Sequence, residues 1–217
     1  MISAAHECDA QLASHEANHR FLNTLTALHG LLRMDFDGFA DPAVLDAVNL
    51  FSSRIQAFAG LHRTLGEEPV GNLIGARAHL TRLCAELTAT LLAPRGIHCE
   101  LSADAGLLPR ETFQTLCLAV VELVTNSAKH AFNGRSGGRI SISLRRTSDG
   151  WACQVADNGC GLQGGQRGDG MGLVRRLMHA VGGELRVYSD EGGFSATMTL
   201  PQAPAVDAAR LELRQAG

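Results

Sequence analysis

The sequence predicts an α+β protein in two parts, a helical hairpin followed by an α/β sandwich. Residues 1–66 show helical periodicity and almost no strand signal. Beyond Gly66-Glu-Glu-Pro69 the periodicity alternates between helix and strand. The strands in that second half are short and bounded by turn residues. Helices gathered on one face of a mixed, largely antiparallel sheet are the arrangement such a pattern favours.

The first helix is expected from about Ala4 to Met34, with no proline and Gly30 as its weak point. Asp37–Gly38 marks a turn, and Asp41 before Pro42 starts a second helix over about Ala43–Thr64. Leu45, Val48, Ile55, Phe58 and Leu61 form its apolar stripe. Two antiparallel helices cannot bury both stripes alone, so the hairpin is expected to dimerise into a four-helix bundle. Next come a helix at about Leu73–Leu92, a strand at Ile97–Ser102 and a long helix from Pro109 to Phe132. Arg139–Arg145 and Trp151–Ala156 read as paired strands around Asp149–Gly150. The glycine-rich stretch Gly159–Gly172 precedes a helix at about Met171–Val181 and strands at Glu184–Tyr188 and Phe194–Leu200. The expected domains are 1–68, 69–201 and a tail, 202–217.

Composition narrows the function. Of 217 residues, 45% are hydrophobic and 19% charged, enough for a packed core. A net charge of −3 supplies no basic field, so no nucleic acid is expected as a partner. No apolar run reaches the ~20 residues that span a bilayer, and the N-terminus lacks a signal-peptide layout. The six cysteines form no CxxC pair and no compact cluster in the sequence. Reduced thiols in a cytoplasmic protein, off the membrane, are the expectation.

On a wheel of about 100° per residue, Asn126 and Lys129 fall within about 40° of Glu122. Leu116, Val120, Val124, Ser127 and Ala131 cluster opposite, as the packing face. One narrow stripe therefore carries a carboxylate, an amide and an ammonium, with His130 beside it. Asp157-Asn-Gly-Cys-Gly161 follows a strand, where a carboxylate at the strand end can accept from an exocyclic amine. Gly159 and Gly161 let backbone approach a flat base. Gly168-Asp-Gly-Met-Gly172 opens a helix whose N–H groups can face phosphate oxygens. The sequence has no GxSxG, HExxH or Walker P-loop to suggest other chemistry.

These three motifs, in this order, resemble those of the GHKL ATPase superfamily over roughly Val70–Pro201. Glu122-Leu-Val-Thr-Asn126-Ser-Ala-Lys129-His130 looks like its N box, Asp157–Gly161 its G1 box and Gly168–Leu173 its G2 box. The resemblance implies ATP and Mg²⁺ as ligands. It casts Asn126 as the Mg²⁺ ligand, Lys129 as a phosphate contact and His130 as a neighbour in the nucleotide set. Asp157, Gly159 and Gly161 would take the adenine end. Gly168, Gly170 and Gly172 would hinge a lid, and Glu122 would polarise a metal-bound water. One departure is Gly193–Phe194, where the family often has Gly-Thr near adenine.

In the first helix, Phe21, Leu25, Leu28 and Leu32 form a stripe from which His19 is displaced by about 150°. An outward imidazole is partly neutral at pH 7 and can serve as a nitrogen nucleophile. The string Glu16-Ala-Asn-His19-Arg20-Phe-Leu-Asn23-Thr-Leu25 resembles the phosphoacceptor helix of the HisKA_2 and HWE classes of sensor histidine kinase. Trp151 is followed by Ala-Cys, without the Trp-x-Glu of the HWE class, so HisKA_2 is the nearer likeness. That likeness makes His19 the phosphorylated residue, with Glu16, one turn back, to orient or deprotonate it.

The resemblance therefore implies a homodimeric two-component histidine kinase. It would pass its phosphoryl group from His19 to an aspartate on a response-regulator receiver domain. The alternative is a histidine phosphotransfer protein whose ATPase-like domain binds no nucleotide, which Phe194 favours. An anti-sigma-type serine kinase is a further alternative, but it would not need the hairpin. The His19 string begins soon after Met1, so input is expected from a separate sensor protein or from a longer chain.

Overall fold

A computed structural model describes residues 73–135, 137–161 and 169–202. It also describes positions 24, 27, 30, 31, 34–36, 41, 44, 45, 48, 51, 52, 55, 59 and 60. The chain divides into two compact units, Met1–Gly71 and Asn72–Gly217.

In the first unit, the described positions from 24 to 35 are helical, Phe36 is a turn, and those from 44 to 60 are helical again. The Leu45 N–H donates to the Asp41 carbonyl at 3.1 Å, closing the first turn of the second segment where Asp41-Pro42 predicts it. Ser52 and Ala59, two turns apart, are buried together. Leu31, Met34 and Phe51 stand more than half exposed, leaving apolar surface on the unit.

The second unit begins with β1 (Leu73–Gly75), α1 (Ala76–Leu87), β2 (Ile97–Ala103) and β3 (Leu107–Pro109). It continues with α2 (Arg110–His130), β4 (Gly138–Thr147) and β5 (Gly150–Asp157). α3 (Asp169–Ala180), β6 (Glu184–Asp190) and β7 (Gly193–Pro201) complete it. The five-stranded sheet runs β2-β4-β5-β7-β6, with β2 parallel to β4 and every other pair antiparallel. β1 and β3 pair separately in a two-stranded ladder. The expected helix from Leu73 is thus corrected, because its first three residues are a strand. Three residues are too few to show a strand period, so the helix pattern behind them absorbed them.

Each remaining boundary has a local cause. After Leu87 the α1 ladder widens into a π turn (Thr88–Leu92) and then a 3₁₀ turn (Ala93–Arg95). Pro94 has no N–H to continue the α pattern, and Gly96, at φ +67°, ends the run in the left-handed region. α2 starts directly after Pro109, whose φ is fixed near the helical value. β4 and β5 turn about Ser148–Asp149, with Thr147 opposite Gly150.

Alternate strand residues fill the core: Ile140, Ile142 and Leu144 from β4, Cys153 and Val155 from β5, Ala196, Met198 and Leu200 from β7. Phe113, Leu116, Val120, Leu123 and Val124 of α2 cover them, with Leu80 of α1 and Val174 and Met178 of α3. Three helices on one sheet face hold α2 centrally, so its polar stripe is aimed at α3 and the end of β5.

Candidate nucleotide site

α2 carries Glu122, Asn126 and Lys129 along one stripe, as the wheel predicts, but the stripe is not a solvated face. Glu122 is 1% exposed, Asn126 and Lys129 are half-buried, and His130 is exposed. A carboxylate taken out of water needs partners. The Asn126 amide donates to Glu122 Oε1 at 3.5 Å across one helical turn. Gly170, in the first turn of α3, lies directly against the same two side chains. A Cβ there would collide with Glu122 Oε1 and Asn126 Nδ2. Glycine at this position is thus a matter of space.

Asp157 closes β5, and both of its carboxylate oxygens are engaged. Oδ1 accepts the Gly159 N–H at 2.9 Å, an Asx turn that sets the following loop. Oδ2 accepts the Ser127 hydroxyl at 2.6 Å. The wheel sets Ser127 on the packing face; it does face the sheet, buried at 4%, and uses that position to hold Asp157. It is a site residue that sequence reasoning missed. Its one signal was polarity: a hydroxyl in an apolar arc must find a partner when buried.

The loop after Asp157 is fastened on three sides. Gly159 presses on Ala131 at the end of α2, where a Cβ would strike the Ala131 carbonyl, and the Cys160 N–H donates to that carbonyl at 2.9 Å. Asn158 exchanges bonds with Arg139: the Arg139 N–H donates to Asn158 Oδ1 at 2.7 Å, and the Asn158 N–H donates to the Arg139 carbonyl at 3.2 Å. Arg135 adds a guanidinium bond to the Asn158 carbonyl at 3.0 Å. Gly161 adopts φ +67° with its Cα against the Asp190 carbonyl. Gly193, at φ +140°, abuts the Asp157 carbonyl. Arg139 also escaped sequence reasoning, and Asn158, though inside the Asp157–Gly161 motif, was given no role there.

The structure brings together Glu122, Asn126 and Gly170 as one group, and Asp157, Gly159 and Gly161 with Ser127 as another. α2 joins the two, since Ser127 follows Asn126. Among the described residues, a Cβ on Gly172 would meet nothing nearer than the Arg176 guanidinium, at 3.5 Å. His130 contributes its carbonyl, which accepts the Cys160 thiol at 3.7 Å. Phe194 is buried opposite Asp157 in the β5–β7 ladder. His19, Glu16 and Gly168 lie outside the described residues.

The donor set fits ATP with Mg²⁺. Asp157 spends one lone pair per oxygen on Ser127 and Gly159, leaving acceptor capacity for an exocyclic amine. Asn126 and Glu122 offer hard oxygen donors, suited to a cation that keeps water and substrate phosphate as its other ligands.

The chain matches two protein families. One, described as histidine kinase (HisKA_2), matches over residues 16–91. The other, histidine kinase-, DNA gyrase B- and HSP90-like ATPase, matches over residues 112–204. The chain is 26% identical over 208 residues to blue-light-activated histidine kinase 2 of Erythrobacter litoralis, covering 91% of this chain and 58% of that protein. It is 26% identical over 171 residues to the sensor histidine kinase PdtaS of Mycobacterium tuberculosis, covering 76% and 34%. It therefore spans from about a third to somewhat over half of these relatives. Among solved structures, the histidine kinase domain of an Erythrobacter litoralis blue-light-activated kinase is similar at a TM-score of 0.62 and 21% identity. That likeness covers 81% of this chain and 95% of that one. Acinetobacter baumannii histidine kinase AdeS is similar in fold at a TM-score of 0.53 and 15% identity, over 86% and 98%. With its two segments in kinase order and its site built on the second, the chain combines a HisKA_2 histidine-kinase segment with an ATPase domain of the GHKL type.

Proposed function

We propose that this protein phosphorylates His19 from ATP and then passes the phosphoryl group to an aspartate on a response-regulator receiver domain. The observation that carries this reading is the double hold on Asp157. With Ser127 on one oxygen and Gly159 on the other, the carboxylate is set at the strand end to receive an adenine amine. The Glu122–Asn126 pair, immediately before Ser127 on α2, is the phosphate end of the same site, and Lys129 supplies the cation there. Gly159 and Gly161 keep the base slot open, while Gly168, Gly170 and Gly172 serve the lid.

Bound Mg²⁺ would neutralise phosphate charge, and Asn126 is the residue that would hold it. Glu122 would polarise water at that cation, and it orients Asn126 through their mutual bond. Since phosphoryl transfer needs little covalent help from protein, catalysis comes mainly from position and charge. The terminal phosphoryl meets a His19 imidazole nitrogen in line, with Glu16 orienting the ring. His130 stands at the edge of the nucleotide set. The chain works as a homodimer through its hairpin, in the cytoplasm where ATP and receiver domains meet, with input from a separate sensor or from further chain.

Labelled ATP with Mg²⁺ tests the scheme. The parent protein should take up label that survives alkali and is lost in acid. Asn126→Ala should reduce uptake at least a hundredfold, and His19→Gln should abolish it. Label on His19→Gln equal to that of the parent would remove His19 as the acceptor. The rival reading, a phosphotransfer protein that binds no nucleotide, is favoured by Phe194 in place of a hydroxyl beside Asp157. A nucleotide titration separates the two, and the Ser127 bond supplies from α2 a support of the kind Phe194 cannot give.

A further inference from the structure

At the site, the five-stranded sheet ends in a row of neighbours on adjacent strands. Asp157 of β5 pairs with Phe194 of β7, and Phe194 pairs on its other side with Ser189 of β6. Burial alternates along β7 through Ala196, Met198 and Leu200, which sets Phe194 on the helix-covered face of the sheet. Cys153 and Val155 set Asp157 on that same face, where its carboxylate meets Ser127 of α2. Residues directly opposite on antiparallel strands hold their Cβ atoms about 4.5–5.5 Å apart. The Phe194 ring, 9% exposed, therefore flanks the Asp157 carboxylate.

The hydrogen-bond donors of this row, and of the loop through Cys160, are already engaged. The Ser127 hydroxyl and the Gly159 N–H both donate to Asp157, at 2.6 and 2.9 Å. The Asn158 N–H donates to the Arg139 carbonyl at 3.2 Å and the Cys160 N–H to the Ala131 carbonyl at 2.9 Å. Beyond Phe194, the Ser189 hydroxyl donates to the Gly193 carbonyl at 3.3 Å. A base entering here meets an acceptor, in the open lone pairs of Asp157, and an apolar ring. An acceptor can bond an exocyclic amine; a ring nitrogen needs a donor. A ring nitrogen turned to Phe194 would lose its water and gain no bond in return, at a cost in affinity.

We propose that this site selects its base by the exocyclic amine alone, through Asp157, and that Phe194 is the specificity residue that leaves the ring nitrogens unread. The inference rests on the nucleotide site proposed above and adds its selectivity. The ligand class it defines is a nucleoside triphosphate whose base carries an amine beside a ring edge that makes no polar contact.

Isothermal titration of the whole chain, with Mg²⁺ present, tests this on a short series of nucleotides. ATP is the reference, purine riboside triphosphate lacks the amine, and 1-deaza-ATP and 7-deaza-ATP each lack a ring nitrogen near it. A bond to a charged acceptor is among the stronger ones, so loss of the amine should weaken binding about tenfold or more. Each deaza analogue should bind within about threefold of ATP, or more tightly. Phe194→Thr, which sets a hydroxyl beside Asp157, should make the chain prefer ATP to one of the deaza analogues by about fivefold or more. A larger loss on either deaza analogue in the parent chain would overturn the proposal, because a donor would then be reading that nitrogen. Equal affinity for ATP and the amine-free analogue would overturn it too. ATP that fails to bind at all would remove the nucleotide site itself, a result distinct from ATP binding with the wrong selectivity. The titrations on the parent chain decide the matter even if Phe194→Thr folds poorly.

Discussion

Asp157 owes its position to two residues on different elements, Ser127 on α2 and Gly159 in its own loop. Only the first bond is made by a removable side chain. A hydrogen bond to a charged group is worth about 1.5 kcal/mol or more, so Ser127→Ala should weaken ATP binding roughly tenfold. Ser127→Thr, which keeps the hydroxyl, should recover part of it. Isothermal titration of the three proteins reads this directly, and equal affinities for parent and Ser127→Ala would remove Ser127 from the site. The same residue marks where sequence reading stops. A helical wheel gives an angle, and Ser127 sits at the angle of the packing face; that its partner is Asp157, thirty positions on, depends on how β5 ends. Glu122 shows the converse. Its stripe was legible, but its burial follows from Gly170 closing over it, a contact between elements that no periodicity encodes.

At the scale of elements, the legible features were those with a local cause. Pro109 starts α2, the turn before Gly150 pairs β4 with β5, and Asp41-Pro42 precedes a helical turn. The three-residue strands β1 and β3 left no trace because their pairing is settled across α1 and β2. Nor is the docking of the Asp157–Gly161 loop on the end of α2 visible in a glycine motif, although it explains one of the glycines. Gly159→Val would push the loop off Ala131. Overpacking of this kind costs about 1–3 kcal/mol. The variant should therefore show a lowered urea midpoint together with at least a tenfold loss of ATP affinity. A drop in stability with unchanged affinity would mean that the loop tolerates displacement and that its docking does not shape the base slot.

On the scale of the whole molecule, the hairpin unit leaves Leu31, Met34 and Phe51 exposed on helical positions. Apolar side chains repeated on one small unit favour self-association. The chain should elute as a dimer in size-exclusion chromatography with light scattering. The double substitution Leu31→Glu, Met34→Glu should shift it toward monomer while ATP still binds the other unit. A double variant that stays fully dimeric would place the interface elsewhere. The change of periodicity at Gly66–Pro69 falls close to the point where the chain divides into its two compact units, Met1–Gly71 and Asn72–Gly217. Their pairing with a second copy rests on the exposed stripe and on that experiment.

The sheet order has a consequence for how the domain assembles. β4 with β5 and β6 with β7 are hairpins of close sequence neighbours, while the β5–β7 seam joins them only after α3 and β6 intervene. Local pairings form faster than distant ones because less chain must be closed. The seam is therefore a late event in making the sheet, as is the distant β2–β4 pairing, and one of its ends is the Asp157–Phe194 pair. A nucleotide held at Asp157 and over α3 would bridge both sides of that join. It would act on the folded chain as a clasp on a zip, slowing amide exchange along β5 and β7 more than along β2.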